Sequence, residues 1–187
     1  MRLRIIGTIG TIGTIGIVVS GVVAGAGCPR GGTEVPRSAA ASPTACEEGK
    51  VWACYELGKR YAADKKDPQA KVQARRYFKT ACDGGLLTGC DELRKTDEAM
   101  CGNSIPDACY NLGEMYRLGN KATKPDLAKA RTYYKAACSE GMAGACYQLG
   151  VLWLDGKGGP ADATRGKYYL EEACKAKHSD ACKRLGR

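Results

Sequence analysis

Five times along this chain two cysteines stand eight positions apart: Cys46/Cys54, Cys82/Cys90, Cys101/Cys109, Cys138/Cys146 and Cys174/Cys182. No other feature constrains the fold as tightly. Eight residues of α-helix separate two Cα atoms by about 12 Å, at about 1.5 Å rise per residue. A disulfide tolerates less than roughly 7 Å. Two bonded cysteines at this spacing therefore cannot share a helix. The chain must reverse between them, so that one cysteine ends a helix and its partner starts the next. Each such closure stabilises by about 2–3 kcal/mol in the loop-entropy description. Of the eleven cysteines only Cys28 stands outside the pattern.

Residues around the cysteines keep the same frame. Cys46 to Cys82 is 36 positions, Cys101 to Cys138 is 37 and Cys138 to Cys174 is 36. After each second cysteine comes Tyr55-Glu56-Leu57-Gly58, Tyr110-Asn111-Leu112-Gly113, Tyr147-Gln148-Leu149-Gly150 or the frayed Lys183-Arg184-Leu185-Gly186. An aromatic residue follows three positions past the glycine, as Tyr61, Tyr116 and Trp153. Cys54, Leu57, Gly58 and Tyr61 fall at i, i+3, i+4, i+7, the stripe of an amphipathic helix. Asp67-Pro68, Asp126 and Asp162 stand as helix openers, and Asp107 and Asp180 precede the second-cysteine helices. Gly84-Gly85 and Gly141 supply exit residues between helices. The in-helix glycines Gly58, Gly113 and Gly150 are read as close-approach points against Ala74, Ala130 or Gly166, and the Tyr and Leu stripes as core packing.

One unit is short. From a second cysteine to the next first cysteine the step is 28 or 29 residues, but from Cys90 to Cys101 it is 11. The missing length is one helix with its turn. Residues 89–100 have room for one short helix stapled at both ends, which predicts a reversed or kinked path near 88–106.

A repeat of about 36 residues with Leu-Gly-x-x-Tyr/Trp, a basic residue ahead of a Tyr-Tyr-like pair and paired cysteines resembles the Sel1-like repeat family. The similarity extends to its disulfide-stapled branch, the Helicobacter cysteine-rich proteins, and covers 45–187. It implies an all-α fold, a right-handed α/α solenoid of tetratricopeptide-like helix pairs. It also implies an interaction scaffold for a protein or peptide. Some members of the branch are described as penicillin-binding or β-lactamase proteins, which makes β-lactam binding or hydrolysis the alternative.

Ahead of the repeats, Met1-Arg2-Leu3-Arg4 is a basic start followed by an uncharged stretch from Ile5 to Ala24 and small residues before Cys28. Residues 1–27 read as a signal peptide. Either a signal peptidase cuts after Ala24-Gly25-Ala26 or Cys28 is the lipidated first residue of a lipoprotein. The second route is favoured because it gives the unpaired cysteine a role, although Gly25 stands where the usual lipobox has Leu. A retained membrane anchor is the bland alternative. Residues 28–44 are rich in Pro, Gly, Ser and Ala and read as a flexible tether. Localisation follows as exported, either periplasmic, an outer-membrane lipoprotein or secreted.

The chain carries 29 Lys and Arg against 20 Asp and Glu, a net charge of +9, or +7 once Arg2 and Arg4 are removed. The excess is densest at Lys59-Arg60, Lys65-Lys66, Lys71, Arg75-Arg76 and Lys79. Such a face suits an acidic protein partner or anionic lipid, although a merely solvated helix face has the same composition. No motif supports nucleic-acid binding.

Catalysis finds little support. A serine β-lactamase needs Ser-x-x-Lys, and Ser38, Ser42, Ser104, Ser139 and Ser179 all lack it. The single histidine, His178, falls in a turn between Cys174 and Cys182 with no activating partner in sequence. Glu171-Glu172 and Asp91-Glu92 read as exposed helix charge. The expectation is a monomeric scaffold with no catalytic residue, metal or cofactor.

Overall fold

The computed structural model describes residues 41–187. Among them are nine helices and no strand: α1 (Pro43–Glu47), α2 (Val51–Ala63), α3 (Ala70–Asp83), α4 (Leu87–Gly102), α5 (Pro106–Leu118), α6 (Leu127–Ser139), α7 (Ala143–Leu154), α8 (Ala163–Lys175) and α9 (Ser179–Arg184). The signal segment, Cys28 and most of the expected tether lie outside the described residues. The helical part begins earlier than position 45. Ala41 is buried, and Ser42 Oγ accepts the Ala45 N–H as the cap of α1. Each helix packs chiefly on the helices before and after it in sequence, the one-dimensional arrangement of an α/α solenoid.

All five cysteine pairs sit at disulfide distance, with Cα atoms 4.5–4.8 Å apart. One local turn is used each time. The first cysteine is the penultimate residue of its helix, and the second is the fourth residue of the next. Three positions after the first cysteine the backbone enters the left-handed region, at Gly49, Gly85, Ser104, Gly141 and Lys177. The N–H of that residue donates to the first cysteine's carbonyl at 2.9–3.0 Å. The next N–H, from Lys50, Leu86, Ile105, Met142 or His178, donates to the residue before that cysteine at 3.0–3.2 Å. This pair of bonds is the Schellman motif, and it caps the outgoing helix. The same residue then starts the next helix, since its carbonyl accepts the N–H of the second cysteine. One turn thus ends a helix, reverses the chain and brings the two sulfurs together.

Helix starts agree with the sequence in part. The carboxylates of Asp126 and Asp162 accept the N–H of Lys129 and Arg165. By contrast, α3 begins at Ala70, two residues beyond Pro68, with the Asp67 carboxylate bound to the Gln69 N–H. Asp107 and Asp180 lie inside the first turns of α5 and α9, and the capping positions are Ile105 and His178. The turn's geometry sets those starts, and no side-chain cap takes part.

In the short unit a single helix, α4, carries Cys90 near its start and Cys101 near its end. At 16 residues it is the longest described helix, not the short one expected. It packs on α3 and α5. A single helix therefore stands here where the complete units have two.

Four small clusters form the core. The largest gathers Leu112, Tyr116, Tyr134, Leu149 and Leu152 between α5, α6 and α7. Alanines hold many buried positions, so little apolar mass is available per unit, and covalent staples suit such small cores. The in-helix glycines admit bulk from the neighbouring helix. A Cβ at Gly113 would lie 2.5 Å from the Tyr134 ring, and one at Gly58 would lie 2.6 Å from Phe78. The expected partners Ala74 and Ala130 are therefore replaced by rings four residues further on. Only Gly150 meets its expected neighbour, with the Gly166 carbonyl 3.0 Å from a Cβ there.

Candidate interaction surface

Seven residues are nearly two helical turns, so a side chain seven positions from a cysteine returns to the cysteine's face of the helix. Seven before the first cysteine and seven after the second, two side chains are set opposite each other across each fully described turn between long helices, and at two of the three turns they are in contact. For Cys82–Cys90 they are Arg75 and Asp97, joined as a two-pronged ion pair between α3 and α4. Asp97 is wholly buried, and burial pushes its carboxyl up while the Arg75 hydrogen bond and charge oppose that. For Cys138–Cys146 they are Arg131 and Trp153, with the guanidinium carbon 4.1 Å from the ring centroid. Arg131 is only 7% exposed and has no acidic partner among the described residues. Its Nη2 donates to the Leu152 carbonyl at 2.7 Å and the Gly159 carbonyl at 3.3 Å. Burial lowers its pKa.

For Cys101–Cys109 the pair is Arg94 and Tyr116, and here the two line a hollow of about 380 Å³. Its far wall is the loop between α5 and α6, with Thr123 and Lys124, and Lys129 stands at the start of α6. The loop between α7 and α8 closes over Arg131 through Gly158 and Gly159, where any Cβ would strike Leu127 main chain or the guanidinium. The α5–α6 loop has Ala122, Thr123 and Lys124 in the corresponding stretch, and the hollow stays open. Arg94 is tied down only within its own helix, by Glu98 at 2.9 Å and Asp91 at 3.8 Å.

A second polar cluster lies between α5 and α6. The Tyr134 hydroxyl donates to Glu114, whose carboxylate also binds the Arg117 guanidinium. Burial alone would raise the Glu114 pKa, but Arg117 and the Tyr134 hydroxyl outweigh it and hold the carboxyl below its ordinary value. Burial and the Glu114 contact push the Tyr134 hydroxyl far up.

Several residues singled out in the sequence take other places. His178 is not a merely solvated loop residue. It is half-buried, starts α9 and stacks on Tyr147 at 4.6 Å between centroids, with Nδ1 buried and unpartnered. The dense basic stretch is partly neutralised, since Lys59 pairs with Glu56, Lys79 with Asp83 and Arg75 with Asp97. Glu92, Glu171 and Glu172 pair with Lys95, Lys167 and Lys175 along helix faces, as exposed helix charge does. Ser104 sits in an exposed turn, while Ser139 and Ser179 are exposed at the last residue of α6 and the first of α9, and Ser139 donates to the Ala136 carbonyl. No group of metal-ligating side chains gathers among the described residues. No helix there is long and apolar enough to cross a membrane.

Helix pairs stacked in one dimension, with packing confined to neighbours and an open polar hollow at one junction, define a helical-repeat scaffold for protein contacts. The Sel1 repeat model matches residues 53–86, 106–142 and 143–178, more than half of the chain, and the protein belongs to the Sel1 repeat family. The matches skip 87–105, the segment that contains the whole of α4. Among curated relatives, the Xenopus tropicalis cytochrome c oxidase assembly factor 7 is 29% identical over 136 residues, 72% of this chain and 52% of the relative. The exopolysaccharide production negative regulator of Rhizobium meliloti is 26% identical over 140 residues, 73% of this chain and 49% of that protein. The chain thus spans about half the length of these relatives. Among solved structures, Helicobacter pylori cysteine rich protein B is 26% identical, with 75% of this chain and 86% of that chain covered at a TM-score of 0.41.

Proposed function

We propose that this Sel1 repeat protein is an exported scaffold of the bacterial cell envelope that binds another protein or peptide without catalysing a reaction. One observation carries the reading: the same covalently closed turn recurs at all five helix junctions that contain a cysteine pair. Ten thiols held at bonding distance suit an oxidising compartment, because a reducing cytosol would leave these small cores without their staples. The basic, apolar start of the sequence supports export, and Cys28 supplies the point of lipid attachment. The partner is a protein or an acidic peptide, and the scaffold works as a monomer.

Fractionation of cells making the full chain tests this, combined with thiol alkylation before and after reduction. The reading expects the protein in the envelope or medium, with ten cysteines blocked until reductant is added and Cys28→Ser losing an acyl label. Crosslinking in intact cells then identifies the bound protein. Cytosolic protein with ten reactive thiols would overturn the proposal.

A further inference from the structure

We infer that the hollow between Arg94 and Tyr116 is a docking site for an acidic side chain of the partner protein. The inference deepens the scaffold reading and rests on it.

Its ground is a comparison the molecule makes with itself. Three arginines hold the position seven residues before a first cysteine: Arg75, Arg94 and Arg131. Two of them find oxygen acceptors on the next element. Arg75 meets the Asp97 carboxylate on α4, and Arg131 meets the Leu152 and Gly159 carbonyls. Arg94 has the same placement and faces Tyr116, but no hydrogen bond across the junction is present. Its two partners, Glu98 and Asp91, belong to α4 itself.

Charge points to what fills the space. Lys124 lines the hollow without an ion-pair partner among the described residues, and Lys129 lies 5.1 Å from the Tyr116 ring centroid with Asp126 at 3.7 Å. Arg94, Lys124 and Lys129 line one cavity with Asp91 and Asp126; Arg94 is engaged by Glu98 and Asp91 and Lys129 by Asp126, which leaves Lys124 as the cation with no carboxylate of its own among the described residues. A guanidinium presents a planar fork that matches a carboxylate, and the site is wide enough at about 380 Å³ to admit a Glu or Asp side chain with part of its backbone. Tyr116 holds the position that Asp97 fills beside Arg75, so the incoming carboxylate reaches the guanidinium from the open side of the hollow. Tyr116 packs against its methylenes as Trp153 packs beside Arg131.

The test uses the oxidised full chain and a fluorescein-labelled heptapeptide, Gly-Ser-Glu-Asp-Glu-Ser-Gly, with a Lys-for-acid peptide as control. Anisotropy titration at low salt should give saturable binding of the acidic peptide alone. Arg94→Gln and Lys124→Gln should each weaken it at least tenfold, and Lys135→Gln, on the outside of α6, should leave it unchanged. Because Arg94→Gln also touches helix pairing, Lys124→Gln on the exposed loop keeps the test decisive if the first variant folds poorly. In ¹⁵N spectra the Arg94 Nε–H should shift on titration while Arg75 and Arg131 stay fixed. Absence of binding, or equal binding by Lys124→Gln and wild type, overturns the site. If the partner captured by crosslinking is bound equally by Lys124→Gln, the scaffold reading stands and only this site falls.

Discussion

Arg75 and Asp97 are 22 positions apart in sequence, yet each lies seven residues outside the same cysteine bridge and their side chains close an ion pair across it. Asp97 is wholly buried, whereas the Arg75 side chain keeps 22% exposure, so the two ends of the pair are unequal. Removing the arginine strands a carboxylate in the core. Removing the aspartate leaves a cation that reaches water. Arg75→Met, which keeps the aliphatic stem, should cost about 3 kcal/mol at pH 7, the scale for breaking a buried pair.

The sign of its pH dependence follows from linkage. Without Arg75, burial alone acts on Asp97 and raises its folded pKa further above the unfolded value. The folded state then binds more protons than the unfolded state between those two values, so stability falls as pH rises through that window. The loss in Arg75→Met should be smaller near pH 4 than at pH 7. Urea unfolding of the oxidised protein at the two pH values measures it, and equal losses would refute the account.

This pair also marks where sequence reading stops. Cysteine spacing dictated the helix reversals by distance alone, and the i, i+3, i+4, i+7 stripe located α2, with the repeat frame placing its equivalents. Pairing across the bridges was not readable, because it requires knowing that α4 serves both its neighbours. Asp97 stands where other units have Tyr61, Tyr116 or Trp153, and read alone it is one more acid on a charged helix. The left-handed turn residue was read at Gly85 and Gly141 and missed at Gly49, Ser104 and Lys177. The hollow beside Arg94 depends on a loop that fails to close, and loop closure is decided by main-chain approach at Gly158 and Gly159, not by a motif.

Ser104 and Lys177 are the two turn positions where a residue other than glycine holds a positive φ, 57° and 64°. A side chain in that region costs of order 1 kcal/mol or more, partly offset by the extra backbone freedom glycine has when unfolded. Both side chains are exposed. Ser104→Gly and Lys177→Gly should therefore each stabilise by about 0.5–1 kcal/mol. Denaturation midpoints of the oxidised variants check this, and a loss of stability in both would show that the side chains do more than occupy a turn.

Gly113 and Tyr134 form a lock of glycine and ring. Alanine favours a helix interior over glycine by about 1 kcal/mol. At position 113 the added methyl would come 2.5 Å from the Tyr134 ring, which is fully buried and cannot swing away. Gly113→Ala should be net destabilising by about 1–3 kcal/mol. The unit with Leu170 in the ring's place suggests the rescue, since a Cβ at Gly150 meets Leu170 at 3.0 Å. Combining Gly113→Ala with Tyr134→Leu should cost less than the sum of the single changes, a coupling read from a double-mutant cycle. Strict additivity would mean that the contact is not the cause.

Glu114 gives the protein an acid-sensitive point. Its carboxylate takes hydrogen bonds from Tyr134 on α6 and Arg117 on its own helix, and Tyr110 adds to the same effect. Burial works against ionisation, but these partners prevail and the folded pKa lies below the ordinary glutamate value. A depressed folded pKa contributes stability that is fully present above the unfolded value and is lost as pH falls through the folded one. Hydrogen bonds to a charged group contribute about 1.5–3 kcal/mol, so Glu114→Gln should cost about 2 kcal/mol at pH 7. Acidification protonates the wild-type carboxylate and removes its advantage, so the gap between the two proteins should narrow steadily below the ordinary glutamate range. Thermal unfolding of both forms from pH 7 down to pH 3, with the bridges intact, follows the convergence. A gap that stays constant across that range would mean that the Tyr134–Glu114–Arg117 cluster holds α5 to α6 by shape and not by charge.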